Sequence, residues 1–377
     1  MKFNIWEDYE YMELPDVLSF IVDNRGKTVP TDPEGKHILI ATNCIRNEHL
    51  YPSYEKIRTL NDETYENWFR AHPEPGDIIF VNKGTPGRVC MVPDPVDFCI
   101  AQDMMAFRAN PDIVYNKYLF AVLRSSKIQN QITATTVGDV IPHFKKQHLH
   151  EIKIPIPPME VQKIIGDYYF TFCEKVVLNE QINRNLSEQA DAIYRDRFVT
   201  NPDESWKLGH LSDLITVKYG KDHKKLEDGN IPCYGSGGIM RYVERPLYDQ
   251  ESVLIPRKGT LNNVMYVNTP FWSVDTMFFT EMNVPNAAKF VFHFIKEKDL
   301  ASMNAGSAVP SMTTDILNAM ELLIPSADAL AQFEADVKPL YKVMQDNESE
   351  NKKLAELRDC LLPKLMSGEL DVSDLEI

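Results

Sequence analysis

Residues 155–198, PIPPMEVQKIIGDYYFTFCEKVVLNEQINRNLSEQADAIYRDRF, decide the fold because a second version of this stretch closes the chain. The second version covers residues 324–365, IPSADALAQFEADVKPLYKVMQDNESENKKLAELRDCLLPKL. In both, mostly apolar residues recur at gaps of four and three, which is the spacing of a coiled-coil seam. The sequence therefore predicts two long amphipathic helices.

The two seams have the same register along the chain. Phe333 follows Ile165 by 168 residues, and Asn347 follows Asn179 by the same number. Identical polar residues at a fixed offset argue against chance and indicate an internal duplication. The seam positions that we expect to pair the helices are Ile165, Phe172, Asn179, Asn183 and Leu186 in the first, and Val337, Leu340, Asn347, Asn351 and Leu354 in the second.

Asparagine on a coiled-coil seam lowers stability, but it disfavours alignments of the two helices that leave its amide without a partner. Each helix covers about 40 residues, or roughly 60 Å, and its apolar stripe needs a cover. We expect an antiparallel coiled coil, which would relate two domains by an approximate two-fold axis. The alternatives are that each helix packs on its own domain or on another subunit.

Two globular segments precede the helices and follow the same order of elements. Both mix short β-branched runs with Pro and Gly and then reach a helical candidate, which is typical of an α+β domain. GDIIFVNKGT at 76–85 matches ESVLIPRKGT at 251–260. The predicted organisation is a first domain at 1–158, a first long helix at 159–198, a second domain at 199–327, and a second long helix with a tail at 328–377.

Composition is that of a globular protein whose expected location is the cytoplasm. The 377 residues are 44% hydrophobic and 25% charged, with no run long enough for a membrane span and no basic, apolar leader. The six cysteines show no C-x-x-C spacing, so we expect reduced thiols. The net charge of −15 weighs against a nucleic-acid partner, but more than half of the excess lies on the two helices and the tail.

Motifs for catalysis are missing from the sequence. Neither a glycine-rich SAM loop, an Asn-Pro-Pro-aromatic motif nor a P-loop occurs. Asp139 with Glu151 and Lys153 has a nuclease-like spacing, but the second copy lacks the matching acidic and lysine residues. His143 and its neighbours His148 and His150 have no cysteine pair to complete a zinc site, and surface or DNA-facing roles suit them better. We therefore expect no catalytic or metal site on this chain.

Two variable domains, each followed by a repeated long-helix segment, resemble the specificity subunit of Type I restriction-modification enzymes over essentially the whole chain. The pieces that carry the resemblance are GDVIPHFKKQHLHEIKIPIPPMEVQKI at 138–164, CYGSGGIMRYV at 233–243, VLIPRKGT at 253–260, FWSVDTMFF at 271–279 and LRDCLLPKLMSGEL at 357–370. Two departures are Ser326-Ala327-Asp328 in place of a second proline-rich linker and Arg358, which interrupts the second seam. We expect the neighbouring Leu357 to take the place of Arg358 in the seam.

The resemblance implies that each domain recognises one half of a split double-stranded DNA site. It also implies that the helices act as a spacer and as a docking surface for methyltransferase subunits. Methylation with SAM and cleavage driven by ATP with Mg²⁺ would then belong to partner subunits, including restriction and translocase subunits, and not to this chain.

Polar and basic loop residues in matching places are the candidates for DNA contacts, because Arg, Lys, Asn and Ser or Thr read base edges or hold phosphates. In the first domain they are Arg25, Lys27, Asn82, Lys83, Thr85 and Arg88. In the second domain they are Lys218, Lys221, Lys224, Lys225, Ser236, Arg257, Lys258, Thr260, Asn262 and Asn263. A protein-interaction scaffold, which would suit the acidic balance, and a nuclease with an unrecognised metal site remain the alternative functions.

Overall fold

The computed structural model describes residues 3–24, 28–138, 141–303 and 311–370. The chain forms two compact units, Met1–Gln181 with Asn347–Ile377, and Ile182–Asp346. The limits between these units fall inside the two long helices. The predicted division into four segments, by contrast, treats each helix as a segment of its own.

In its described residues, the first unit contains nine short strands and three helices before the first long helix. Its strands are β1 (Tyr11–Glu13), β2 (Leu18–Val22), β3 (His37–Leu39), β4 (Arg58–Leu60), β5 (Ile78–Val81), β6 (Val89–Met91), β7 (Phe98–Cys99), β8 (Met104–Ala109) and β9 (Lys153–Pro155). Its helices are α1 (Asp62–Asn67), α2 (Asn116–Arg124) and α3 (Ser126–Thr135). Three 3₁₀ segments, Leu14–Val17, Thr42–Cys44 and Lys146–Glu151, connect these elements.

The strands of the first unit form three sheets, in the orders β2-β8-β5-β6, β4-β3-β7 and β1-β9. Strand β5 is buried along its whole length. Ile78 and Phe80 lie in one hydrophobic cluster and Ile79 and Val81 in another, so the four-stranded sheet is covered on both faces. A strand buried on both faces has no polar side to alternate with, which explains its continuous apolar run.

The second unit repeats this arrangement. Its strands are β10 (Lys207–His210), β11 (Ile215–Tyr219), β12 (Asp228–Gly235), β13 (Gly238–Val243), β14 (Ser252–Pro256), β15 (Met265–Val267), β16 (Trp272–Ser273), β17 (Met277–Met282) and β18 (Glu321–Ile324). The sheet orders are β11-β17-β14-β15, β13-β12-β16 and β10-β18. Each order is that of the first unit with every strand number raised by nine, which confirms the α+β tandem duplication.

Two long helices, α4 (Met159–Arg195) and α8 (Ala327–Met366), pass through the units. Shorter helices α5 (Leu211–Leu214), α6 (Ala288–Lys296) and α7 (Thr314–Asn318) lie between them in sequence, and a π-helical turn, Asp196–Thr200, extends α4. Within the described ranges, none of the helices has the length and apolar character needed to cross a membrane.

The long helices pair in antiparallel orientation, as predicted. In the first unit the Asn179 amide donates to Asn351 Oδ1 at 2.8 Å. In the second unit the Asn183 amide donates to the Met344 carbonyl at 3.1 Å. Within the first unit alone, Asn179 meets Asn351 and Tyr169 meets Arg358, so positions on α8 fall as positions on α4 rise and the two helices run in opposite directions.

The beginning of each seam packs on a globular core as well. Ile165 lies in a cluster that contains both Tyr118 of α2 and Leu365 of α8, and Val337 shares a cluster with Phe290 of α6. The alternative that each helix packs on its own domain therefore holds for the first turns of each helix. The remaining predicted seam residues are partly buried: Phe172, Asn183, Leu186, Leu340, Asn347, Asn351 and Leu354.

At the interruption of the second seam, Arg358 and not the expected Leu357 is the buried residue. Leu357 is 48% exposed, whereas Arg358 is only 7% exposed. The Arg358 guanidinium lies 5.9 Å from the centre of the Tyr169 ring and donates to Asp359 at 2.8 Å. A long arginine stem can cover apolar surface while its charged end is paired, so Arg358, and not Leu357, fills the seam.

Candidate nucleic-acid interface

The loop that joins β5 to β6 places Lys83 at the surface of the first unit, with Thr85 half-buried beside it. Val81 and Arg88 close the hairpin through a backbone hydrogen bond of 2.9 Å. Gly84 and Gly87 have φ of +84° and +91°, a conformation that glycine adopts without strain. Lys83 forms an isolated β-bridge with His143, which fixes the loop against a second segment of the same unit.

The matching loop of the second unit follows β14. Lys258 forms an isolated β-bridge with Ser311, 168 residues after His143, and Gly259 has a φ of +87°. The loop residues Lys258, Gly259 and Thr260 are all exposed. Strand order, bridge partner and glycine conformation thus agree between the two units, so the sequence match at these loops reflects the same structural position.

Asn82 and Arg257 occupy equivalent positions but have different environments. Asn82 is 1% exposed, and neither atom of its side-chain amide has a hydrogen-bond partner among the described residues. The expectation that Asn82 lies on the loop surface is therefore wrong, because this residue, which directly follows the last residue of β5, is buried. Arg257 is partly exposed: its guanidinium lies 5.3 Å from the centre of the Tyr219 ring and donates to the Asp275 carbonyl at 3.2 Å.

The other first-unit candidates are less well placed for a phosphate contact. Lys83 lies 3.8 Å from Asp103, which neutralises part of its charge. Thr85 and Arg88 are half-buried. Arg25 and Lys27 lie outside the described residues.

In the second unit, three loops meet at one edge of the sheets. The Asn263 amide donates to the Ser236 carbonyl at 2.8 Å, which joins the loop after β14 to the turn between β12 and β13. The Lys221 backbone donates to the Ser273 carbonyl at 2.8 Å, and the neighbouring Val274 backbone donates to Tyr234 at 3.0 Å. These bonds bring the segment that follows β11 to the same place.

The lysines at this edge differ in how well they are paired. Lys221, Lys224, Lys225 and Lys258 are exposed and form no ion pair within the part of the chain that the structure describes. Lys218 lies inside β11 and is 3.4 Å from Glu281. These unpaired lysines present positive charge at this edge, next to the exposed carboxylates of Asp222 and Asp275, although the whole chain is acidic. Lysine side chains of this kind bind phosphate groups.

Two predicted base-reading asparagines have structural roles instead. Asn262 donates to Asp299 at 3.0 Å and accepts from the Ala301 backbone at 2.9 Å. The Asn263 amide donates to the Ser236 carbonyl, as described above. Because these groups hold the loops together, the side chains that remain available at this edge are mainly the lysines, Thr260 and the Ser236 hydroxyl.

Histidines and carboxylates do not assemble into a metal site in the described ranges. His148 and His150 each pair with one carboxylate, of Glu151 at 2.8 Å and Glu13 at 2.7 Å. Among the residues with defined positions there is no cluster of three or more His, Cys, Asp or Glu that could hold a metal ion. Asp139, the acidic residue of the nuclease-like spacing, lies outside the described residues.

Sequence reasoning missed the apolar part of this edge. Ile239 and Met240, which follow the turn of the β12–β13 hairpin, are 50% and 60% exposed. Tyr219, which supports Arg257, is 53% exposed. The available signal was the run YGSGGIM at 234–240, in which two apolar residues directly follow a glycine-rich turn.

Comparisons with known proteins agree on one family. The model described as the Type I restriction modification DNA specificity domain matches residues 6–188 and 203–359. The MjaIX type I restriction enzyme specificity subunit of Methanocaldococcus jannaschii is 21% identical, over 87% of this chain and 85% of its own length. The HindI specificity subunit of Haemophilus influenzae is 20% identical, over 78% and 86%. A crystal structure of a Type-I restriction-modification system S subunit from M. genitalium shares the fold, with a TM-score of 0.57 at 18% identity over 97% of this chain and 98% of the other.

Proposed function

The chain belongs to the Type I restriction modification DNA specificity domain family, and we propose that each of its two units reads one half of a bipartite DNA target. Its function is DNA sequence recognition, and catalysis belongs to other subunits of the complex. The observation that supports recognition of a bipartite target is the pair of matched loops. They hold Lys83 and Lys258 at the same position on two copies of one fold. Duplicated readers with different side chains are suited to an asymmetric site.

The second unit presents the better defined contact surface. Lys221, Lys224, Lys225 and Lys258 would bind phosphates, while Arg257, held over Tyr219, would reach a base edge. In the first unit, Lys83 and Thr85 would take the equivalent places. Asn82 would not contact DNA in this arrangement, because its side chain is buried.

Partner subunits complete the activity in this proposal. The long helices would set the spacing between the two half-sites and bind methyltransferase subunits, which would carry SAM. Restriction subunits would supply ATP-driven translocation and cleavage with Mg²⁺. The cytoplasm, where chromosomal DNA is accessible in a bacterial or archaeal cell, is the location that this role requires.

A footprint of the reconstituted complex tests the proposal. The full chain is assembled with a type I methyltransferase subunit, and the target is identified by methylome sequencing with and without this chain. Two separated clusters of protected bases on one duplex are expected. One continuous footprint, or the absence of any preferred sequence, would contradict the two-half reading.

A further inference from the structure

The tip of the β12–β13 hairpin exposes apolar side chains without a cover. A two-residue turn, Ser236-Gly237, connects the strands, and Gly235 pairs with Gly238 across it. Ile239 and Met240 come directly after the turn and are at least half exposed. Contiguous exposed apolar surface rimmed by polar residues is a feature of contact surfaces.

The tip is held in place. An added Cβ at Gly259 would approach Ser236 Oγ to 2.7 Å, and the Asn263 amide holds the Ser236 carbonyl. Met240 lies across the glycine at position 235, where an added Cβ would come within 2.4 Å of its sulfur. The apolar tip is therefore fixed beside the loop that carries Lys258.

Charge at this edge selects an anionic occupant. Lys258 lies on the loop bonded to the turn, and Lys221 lies on the segment joined to the hairpin through Ser273 and Val274. Both lysines lack an ion pair among the described residues. An apolar tip on a hairpin joined to two segments with unpaired cations fits a polyanion that also displays apolar groups.

The first unit does not share this feature. Its β3 and β4 are joined by residues 40–57, which include the short helix Thr42–Cys44 in place of a tight turn. That connection exposes Tyr54 and Ile57, at 46% and 41%, but on a long loop and not beside a two-residue turn, and Tyr54 donates its hydroxyl to Asp97. The apolar hairpin tip is thus a property of the second unit.

We propose that residues 236–240 of the second unit enter the major groove of DNA and pack Ile239 and Met240 against the methyl group of a thymine. This inference rests on the proposed function. A two-stranded ribbon fits the major groove, which is about 12 Å wide, whereas the minor groove, which is about 6 Å wide, would have to be widened to admit one. On the major-groove edge of the bases, the C5 methyl of thymine is the apolar group that such side chains can recognise. The hairpin would thus specify thymine at one position or at two adjacent positions of the half-site.

Replacement of thymine by deoxyuridine tests this contact, because it removes only the methyl group. Binding of the full chain with its methyltransferase partner is measured on the target duplex. Each thymine of the half-site that Lys258→Ala weakens is replaced in turn. We expect one or two replacements to weaken binding about 3- to 5-fold, as loss of one buried methyl predicts. The double variant Ile239→Ser/Met240→Ser should bind thymine and deoxyuridine duplexes equally.

Leu208→Ser is the matched control, because Leu208 is 66% exposed but lies in the separate β10–β18 sheet. This variant should keep the full deoxyuridine penalty. A half-site without thymine, indifference of the unmodified complex to every replacement, or an equal penalty in the double variant would each overturn the proposal. Loss of assembly with the methyltransferase, without a change in base preference, would instead show that the tip contacts protein. Failure of the proposed function differs from all of these, since the unmodified complex would then prefer no sequence.

Discussion

Asn179 on α4 donates one hydrogen bond to Asn351 and another to Glu350 on α8, at 2.8 and 2.7 Å. Asn179 is fully buried, and within the described residues its own carbonyl oxygen accepts no hydrogen bond. A buried amide that is satisfied only in one alignment penalises every other alignment of the two helices. The pair therefore fixes the register of α4 against α8 at a cost in stability.

Asn179→Asp should destabilise this helix pair. The new carboxylate would face Glu350 inside the seam, and it would also lose the amide donors. Because protonation removes the repulsion, the fall in the thermal midpoint should be larger at pH 7 than at pH 4. Asn185→Asp, on an exposed position of the same helix, is the control and should change the midpoint little. An equal loss in both variants would contradict a register role for Asn179.

Asp191 should make the free energy of unfolding of the second unit depend on pH in the acid range. It accepts from His293 at 2.7 Å and from Lys296 at 2.9 Å. Burial acts to raise its pKa, but these hydrogen bonds outweigh burial and lower the pKa to about 2 from an ordinary 3.8. The pKa is depressed on folding, so the stabilisation is present above about pH 4 and is lost as the pH falls towards 2.

Asp191→Asn should therefore lower the free energy of unfolding at pH 7 by roughly 1–2 kcal/mol, after allowance for its partial exposure. The difference from the unmodified protein should shrink between pH 4 and pH 2 in urea titrations. Glu188→Gln, an exposed change on the same helix, is the control. A difference that stays constant over this pH range would show that the carboxylate charge is not the cause.

The architecture was predictable from the sequence because the duplication left two kinds of signal. The seams share an offset of 168 residues, and the loops at Lys83 and Lys258 share a motif. The predictions that were wrong concern residues whose environment is formed by other parts of the chain. Hydropathy favours Leu357 over Arg358 as the buried residue of the seam. The Arg358 guanidinium, however, lies over the Tyr169 ring of the opposite helix and donates to Asp359. Asn82 belongs to a loop motif and yet is buried directly after strand β5, which a motif alone does not reveal.

Gly84 and Gly259 should respond differently to the same substitution. Both have positive φ, so alanine at either position is strained by about 1 kcal/mol. An added Cβ at Gly84 meets no atom of the described residues within 4 Å, whereas at Gly259 it would meet Ser236 Oγ at 2.7 Å. Gly259→Ala should therefore lower the thermal midpoint more than Gly84→Ala. Combination with Ser236→Ala should remove the excess loss, and a double variant no better than Gly259→Ala would refute the steric explanation.

Lys258→Ala should weaken recognition of one half-site and reduce the dependence of binding on salt. Lys258 has no ion pair among the described residues, so a phosphate would be its main partner in a complex. Loss of one phosphate contact lowers the slope of log K against log salt by about 1. Lys83→Ala should affect the other half-site and lower the slope less, because Asp103 already neutralises part of the Lys83 charge.

Lys207→Ala separates local contact from overall charge, because Lys207 is exposed in β10, away from the three loops of the second unit. It removes the same charge from the same unit as Lys258→Ala. Affinities are measured for the full complex at several salt concentrations, on duplexes with either half-site altered. If Lys207→Ala and Lys258→Ala reduce affinity and slope equally, the loop contributes only general charge. If Lys258→Ala alone removes the preference for one half-site, the loop after β14 reads that half, and the equivalent position of Lys83 assigns the other half to the first unit.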